Sequence, residues 1–294
     1  MKKAIIMALA VGLTMTACEK AIEVPDGEAS GVVEEPAKTK KFTFTMKGDF
    51  SDDWKTTRGY LAADGRDMTD VWVLDYMNGE LVQQLHQGDN TAEDFGKPVM
   101  QLAYGSHHVY FVASRGTTPT LNVGTHSIVW ERPSDTFWKA LSLTVGSGTA
   151  STVAVALDRV VTKLRIAVAD EVPATIATLE MVPGQWWYGI DYLTGEAVST
   201  SAEVRSVTVP ASMAGTTGQL VAGFYCLSDN AEWMTDVTIR AKDGDGAVIG
   251  SVSLADVPFV RNRVTDASGN LFASLSGFSI SLNEQWLDSY TLEW

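Results

Sequence analysis

Four histidines are the side chains of this chain best suited to metal binding or proton transfer. His107 and His108 are adjacent, so on a β-strand their side chains point to opposite faces of the sheet. They form a poor chelating pair without ligands from elsewhere. We interpret His86 and His126 in the same way, as histidines of strand edges or turns, and the sequence predicts no metal site.

Acidic residues beside aromatic ones could provide the paired carboxylates of a glycoside hydrolase. Such residues occur in FSDDW (50–54) and in SDTFW (134–138). That chemistry needs a defined separation across a cleft, which the sequence does not indicate, so we interpret both stretches as solvated turns. The motifs of serine hydrolases, zinc peptidases, dithiol oxidoreductases and P-loop proteins are absent. We expect no catalytic residue, no cofactor and no enzymatic activity.

Two further stretches could bind a ligand. KDGDGAVIG (242–250) begins with alternating aspartates, as a calcium loop does, but Asp243 and Asp245 are followed by an apolar run. We therefore predict a hairpin turn there. GQWWYGIDY (184–192) is the densest aromatic cluster, and it could belong to a core, to a ligand surface or to a subunit interface.

The two cysteines are the remaining reactive side chains. Cys226 lies in the apolar stretch QLVAGFYCLSD, where a lone cysteine behaves as a small buried hydrophobic residue. Cys18 comes after an apolar N-terminal run and could be a reactive thiol, half of a disulfide or a point of lipid attachment. A reactive thiol needs a histidine or an electropositive site nearby, and neither is indicated. A lipid on Cys18 would preclude a bridge to Cys226.

The N-terminal segment favours lipid attachment. Lys2 and Lys3 precede an uncharged run over 4–16, which is too short to span a bilayer but fits a secretory signal. The segment resembles a bacterial lipoprotein signal, with cleavage after Ala17 and a lipid on Cys18. The alternative is an ordinary secretory signal with a chance cysteine near its end.

Beyond the predicted signal peptide (1–17), composition indicates a tether and then a folded body. Residues 18–40 are rich in Glu, Ala, Pro, Gly and Lys, and are predicted to be a flexible tether. The net charge of −14 repels nucleic acid and anionic membrane surfaces, so no nucleic-acid partner is expected. A chain of 294 residues with 45% hydrophobic residues can form two domains with substantial cores.

From Lys41 onward, short alternating runs are separated by turn sequences such as ADG, MNGE and QGDN. This pattern predicts an all-β fold of two tandem β-sandwich domains, over 41–157 and 158–294. PATIATLEM (173–181) is a short helical possibility. The predicted strands include KFTFTM, VWVLDY, VMQLAY, HVYFVAS, HSIVW, STVAVAL, VVTKLRIAVA, EVRSVTV, QLVAGFY, DVTIRA, AVIGSVSL, FVRNRV (259–264) and GFSISL.

Five features succeed one another along the chain: the lipoprotein-type signal, KFTFTMKG with TTRGYL after it, DVWVLDYMNGEL, LDRVVTKLRIAVADEVP, and PFVRNRVTDASGNLF. In this order they resemble the fimbrillin family of Bacteroidales-type (type V) fimbriae, which includes fimbrial anchor proteins. The resemblance implies two transthyretin-like β-sandwich domains and a lipoprotein precursor. It also implies assembly by donor-strand exchange, in which a strand of one subunit completes the sheet of the next.

The resemblance also implies a processing step. In this family, shaft and tip subunits lose the lipidated N-terminus to a trypsin-like protease, whereas anchor subunits keep it. Arg58 is the candidate cleavage site because it comes after the first strand and a polar loop; Lys40 and Lys41 are weaker alternatives. Cleavage at Arg58 would release the first strand. Precursors of every role contain the cysteine, so Cys18 does not distinguish anchor, tip and shaft.

Under this hypothesis the chain is a fimbrial subunit at the outer membrane and cell surface. Its partners are other fimbrial subunits, the outer membrane through the lipid at Cys18, and host or bacterial surface ligands. The alternative is a surface-exposed glycan- or ligand-binding lipoprotein, which exposure of Trp186 and Trp187 would favour.

Overall fold

Strands with apolar residues at alternate positions turn one face towards a core. The strand bounds below are those of a computed structural model. It describes residues 38–48, 68–273, 277–283 and 292–293. The strands of the first half are β1 (Thr39–Gly48), β2 (Asp70–Met77), β3 (Glu80–Gln87), β4 (Val99–Ala103), β5 (Gly105–Ser114), β6 (Thr120–Asn122), β7 (Ser127–Val129), β8 (Thr136–Val145) and β9 (Thr152–Arg159).

The second half continues the same pattern of short strands. They are β10 (Val161–Val168), β11 (Ile176–Pro183), β12 (Trp186–Asp191), β13 (Glu196–Ser201), β14 (Arg205–Thr208), β15 (Leu220–Leu227), β16 (Trp233–Asp243), β17 (Val248–Phe259), β18 (Val264–Asn270), β19 (Gly277–Asn283) and β20 (Leu292–Glu293). Two 3-10 helices, Val123–Thr125 and Ala211–Met213, are the only helices of the described residues. The predicted all-β class is confirmed.

The first sandwich is a single sheet that turns a corner. Its strand order is β3-β2-β5-β8-β9-β1-β4, and β8 pairs with β9 only through Phe137↔Arg159 and Trp138↔Asp158. On either side of this corner the two parts face each other across one core. Phe44 of β1 and Phe111 of β5 meet there with ring centroids 5.1 Å apart.

The second sandwich packs two sheets face to face. One has the order β19-β18-β10-β15-β20 and the other β14-β11-β16-β17. Their shared core contains Leu164 and Ile166 from β10, and Val237 and Ile239 from β16, all fully buried. The helical possibility over 173–181 is wrong, because that stretch pairs as β11 with β14 on one side and β16 on the other.

A third, smaller sheet combines strands from both halves of the sequence. Its order is β13-β12-β7-β6, so β7 pairs with β12, a strand that comes after β10, and β6 pairs with β7 at the edge. The link between β9 and β10 is the single residue Val160. A third apolar core, which includes Leu74, Trp130 and Tyr225, contains residues from both sandwiches.

Turn sequences set several of the boundaries. The predicted hairpin at Asp243 is confirmed: β16 and β17 pair antiparallel on either side of it, and the Asp243 carboxylate accepts hydrogen bonds from the N–H groups of Asp245 and Ala247. The strand predicted at FVRNRV is wrong. A turn with Asn262 at φ 57° separates β17 from β18 there.

Within the described ranges no helix is long and apolar enough to cross a bilayer.

Candidate functional site

The residues that the sequence assigns to processing and anchoring, Ala17, Cys18 and Arg58, lie outside the described residues. The described strand between them is β1, and its two neighbours define the candidate site. β1 lies between β9 and β4, pairing parallel with β9 from Thr43↔Thr152 and antiparallel with β4 from Thr39↔Ala103. It is therefore an inner strand of its part of the sheet, with hydrogen-bond partners on both sides.

Alternation along KFTFTM places one face of β1 in the core. Phe42 and Phe44 are fully buried and Met46 is 2% exposed, while Thr43 and Thr45 are half-buried on the other face. Burying a side chain of this size contributes about 1.5–3 kcal/mol to the free energy of unfolding. A strand that left this position would expose three large apolar side chains and leave a matching cavity.

Further contacts hold the start and the middle of β1. The Tyr104 N–H donates to the Lys38 carbonyl at 2.8 Å, and the Lys40 ammonium donates to the Ser147 carbonyl at 3.0 Å. The Phe44 N–H donates to Pro98 O at 3.0 Å. We define the β1 slot as the space between β9 and β4 that β1 occupies. Any extended segment with apolar residues at alternate positions has the chemistry to fill it.

The aromatic cluster contributes to a core. Trp186 is fully buried, its ring centroid lies 5.3 Å from that of Phe259, and its indole N–H donates to the Tyr225 carbonyl at 2.8 Å. Trp187 and Tyr188 are half-buried. The burial of Trp186 counts against a ligand surface at this cluster.

Cys226 is also a core residue, as predicted. The thiol is fully buried, and burial raises its pKa well above the ordinary value of a cysteine. The Trp187 N–H donates to Sγ at 3.1 Å. A buried thiol of this kind is unreactive, because the thiolate is the nucleophilic form.

His107 and His108 point to opposite faces of the sheet, as their adjacency predicts. His108 is exposed, with Nδ1 3.2 Å from the Ser142 hydroxyl oxygen, whereas His107 is buried. The His86 ring stacks on Trp72 with centroids 4.0 Å apart. In the described part of the chain, no three acidic, histidine or cysteine side chains are grouped as metal ligands would be.

Sequence reasoning missed a set of buried polar side chains. His107 pairs with Asp75, and Arg159 pairs with Asp135, with every one of these side chains at most 13% exposed. The interpretation of SDTFW (134–138) as a solvated turn is therefore wrong, because Asp135 is buried in this ion pair and β8 begins at Thr136. Lys163 is fully buried, with Nζ 5.2 Å from the centroid of the Tyr225 ring. A charged residue in the middle of an apolar run, as in VWVLDYM and VVTKLRI, is the signal that could have found Asp75 and Lys163.

Comparison with known proteins gives one family and several similar folds. A model of the "Family of unknown function (DUF6562)" matches residues 122–293. No curated protein matches the chain in sequence.

Three solved structures illustrate the similar folds. A candidate adhesin from Bacteroides ovatus has 12% identity and a TM-score of 0.49, over 75% of this chain and 83% of that one. The tip fimbrial protein Mfa3 from Porphyromonas gingivalis, with a C-terminal truncation, has 14% identity and a TM-score of 0.45, over 85% and 100%. A fimbrial assembly protein from Parabacteroides distasonis has 9% identity and a TM-score of 0.46, over 84% and 100%.

Proposed function

Since this chain belongs to a family of unknown function, DUF6562, we propose its role from its own features: it is a structural, non-catalytic subunit of cell-surface fimbriae. It acts as an anchor, tip or shaft component and supports adhesion. A lipid on Cys18 delivers it to the outer membrane, at least as a precursor. Its partners are other fimbrial subunits, and two sandwich domains, over 41–157 and 158–294, form its body.

The observation that carries this proposal is the place of β1 in the sheet. β1 is flanked on both sides by paired strands, yet it comes directly after the predicted tether. Cleavage at Arg58, after β1, would separate that strand from the rest of the chain. The vacated β1 slot then presents two unpaired strand edges and an open apolar groove, which an extended strand of another subunit can fill.

The order of motifs in the sequence supports the same role. The lipoprotein-type signal, the tether and the first strand stand in the order that surface tethering and strand exchange require. The rival hypothesis of a glycan-binding lipoprotein depended on exposed tryptophans in the aromatic cluster. Trp186 is fully buried and Trp187 is half-buried, which counts against that hypothesis.

The first experiment is intact mass measurement and N-terminal sequencing of the chain from cell-surface and fimbrial fractions. We expect a precursor acylated at Cys18, and in a tip or shaft subunit a mature form that begins at Gly59. A form that keeps acylated Cys18 and copurifies with fimbriae is an anchor. Absence of the chain from every fimbrial fraction would contradict the proposed role.

A pair of variants tests the cleavage site. Arg58→Ala is expected to block shortening of the chain and its incorporation into polymers. Arg132→Ala removes an exposed arginine elsewhere and serves as the matched control. Normal shortening of the Arg58→Ala chain would show that another residue is cleaved.

A further inference from the structure

Asp75 and His107 form a buried pair inside the first sandwich. Asp75 lies on β2 and His107 on β5, and each residue is only 1% exposed. His107 Nδ1 lies 2.8 Å from Asp75 Oδ1, and Nε2 lies 2.9 Å from the Ala103 carbonyl oxygen. Both ring nitrogens of this histidine therefore face oxygen atoms.

This geometry fixes the number of protons in the pair. The Ala103 carbonyl can only accept a hydrogen bond, so Nε2 must carry a hydrogen. If Asp75 were ionised and His107 neutral, two lone pairs would face each other across 2.8 Å. The contact is a hydrogen bond only with one more proton between Oδ1 and Nδ1. That proton belongs either to an imidazolium beside a carboxylate or to a carboxyl group beside a neutral imidazole.

Among the residues that the structure describes, those in register with the pair carry no charge. The residues in register with Asp75 are Gln83 of β3 and Val109 of β5. Those in register with His107 are Met77 of β2 and Leu143 of β8.

The part of the same sheet that faces the pair, formed by β1 and β4, also presents apolar side chains. It presents Phe42, Phe44, Met100 and Leu102 to the same core. Lys40, on the face of β1 that carries Phe42, has its ammonium at the Ser147 carbonyl. Without the shared proton, a charged carboxylate would remain in an apolar interior, which is unfavourable. The single N–H of a neutral His107 could then serve only one of the two oxygen atoms, Asp75 Oδ1 or the Ala103 carbonyl.

The direction of the Asp75 pKa agrees with this proton count. Burial raises the pKa of Asp75, and the hydrogen bond and charge of His107 oppose that rise. A raised pKa means that the folded state holds the proton to a higher pH than the unfolded chain does. The contribution to stability is therefore complete below the unfolded pKa of about 3.9 and is lost as pH rises through the folded value.

The pair also contacts the turn between β4 and β5, at the end of β4 that pairs with the start of β1. Ala103 is the last residue of β4 and pairs with Thr39, the first residue of β1. The next residue, Tyr104, donates its N–H to Lys38. His107 contacts both the Ala103 carbonyl and Asp75, so it connects the turn between β4 and β5 to β2. β4 is the strand on the outer side of the β1 slot.

We propose that Asp75 and His107 share a single proton that holds the turn between β4 and β5 in place, and that loss of this proton as the pH rises loosens β4 and the start of β1. The pair thereby makes the local stability of β4, which borders the β1 slot, depend on pH. It acts on the folded chain and does not depend on the fimbrial role.

The test is amide hydrogen exchange of the full chain from about pH 4, near the unfolded pKa of an aspartate, to about pH 10, corrected for the intrinsic exchange rate. We expect the protection of the β4 and β1 amides to fall by about tenfold or more as the pH rises, relative to the amides of β16 and β17, because a buried hydrogen bond to a charged group is lost. Equal pH dependence in both groups of strands would overturn the proposal.

Asp75→Asn is the informative variant. Its amide group can donate to Nδ1 of a neutral His107, so both bonds persist without a titrating proton. We expect protection at β4 in this variant to be independent of pH. Asp70→Asn is the matched control, because Asp70 lies on the same strand and pairs with His86, whose side chain is 28% exposed. This control should keep the pH dependence of the unaltered chain.

Two outcomes would contradict the proposal that Asp75 and His107 share a proton. One is an Asp75→Asn chain whose β4 protection falls with pH as steeply as in the unaltered chain. The other concerns the imidazole nitrogens of His107 in the unaltered chain, observed by nitrogen-15 NMR. If these signals do not change over the range in which protection falls, another group controls β4. The NMR measurement also decides the matter if Asp75→Asn does not fold.

Discussion

Arg159 and Asp135 form a doubly hydrogen-bonded ion pair at the junction of the two sandwiches. Arg159 Nε lies 2.7 Å from Asp135 Oδ1, and Nη2 lies 3.0 Å from Oδ2. The Arg159 guanidinium also donates to Asn262 Oδ1 at 3.2 Å, in the turn between β17 and β18. The last residue of β9 is thereby bonded to the second half of the chain.

Breaking this pair should be costly. Asp135→Ala leaves the Arg159 guanidinium, 6% exposed, without its carboxylate. Removal of one partner of a buried pair typically lowers the free energy of unfolding by about 3–5 kcal/mol. Chemical denaturation measures this loss. The control is Asp158→Ala at the exposed pair with Lys139, where about 0–1 kcal/mol is expected. Equal losses in the two variants would refute the distinction.

Truncation inside β1 tests how firmly the strand is held. Phe44→Ala removes a fully buried ring that touches Phe111, and should lower the free energy of unfolding by about 3–5 kcal/mol. Thr45→Ala, on the other face, should cost less than about 1 kcal/mol. Denaturant melts of both variants provide the comparison. A small effect of Phe44→Ala would mean that β1 contributes little to the core.

Asp170 gives a second pH dependence, with the opposite sign. Burial acts to raise the pKa of Asp170, but hydrogen bonds from the backbone N–H groups of Leu271, Phe272 and Ala273 outweigh it, so the pKa is lowered. The stabilisation is present above the unfolded pKa of about 3.9 and is lost as pH falls through the folded value.

The expected result is a pH-dependent difference between variants. Asp170→Asn should lower the free energy of unfolding by about 1 kcal/mol at neutral pH, because it replaces a charged acceptor by a neutral one. The difference should shrink below about pH 4. Asp245→Asn alters an exposed carboxylate and serves as the control. A constant difference from neutral to acidic pH would argue against this role of the carboxylate.

The Cys226 thiol should be unreactive towards thiol reagents in the folded chain. In a Cys18→Ser chain, where Cys226 is the only thiol, a maleimide reagent at mildly alkaline pH should modify the protein only after denaturation. Mass spectrometry monitors the reaction. Modification of the native protein at the rate of an exposed thiol would contradict the burial of Cys226.

Some of these features could be read from the sequence because they depend on local pattern. Alternation in KFTFTM identifies Phe42 and Phe44 as a buried face, and the aspartates and glycines of KDGDG specify a turn. Adjacency alone assigns His107 and His108 to opposite faces. The failures at PATIATLEM and FVRNRV have the same origin, because short segments are compatible with more than one local structure and their partners decide.

The sequence by itself therefore determined the all-β class, the buried faces of several strands and the burial of Cys226. Lipid attachment at Cys18 and cleavage at Arg58 stay predictions. Only the tertiary structure decided which strands are neighbours: the parallel pairing of β1 with β9, the third sheet and the contact of Asp75 with His107. The physical reason is that a two-residue period specifies which face of a strand is buried, whereas its neighbours are chosen by packing between residues far apart in the chain.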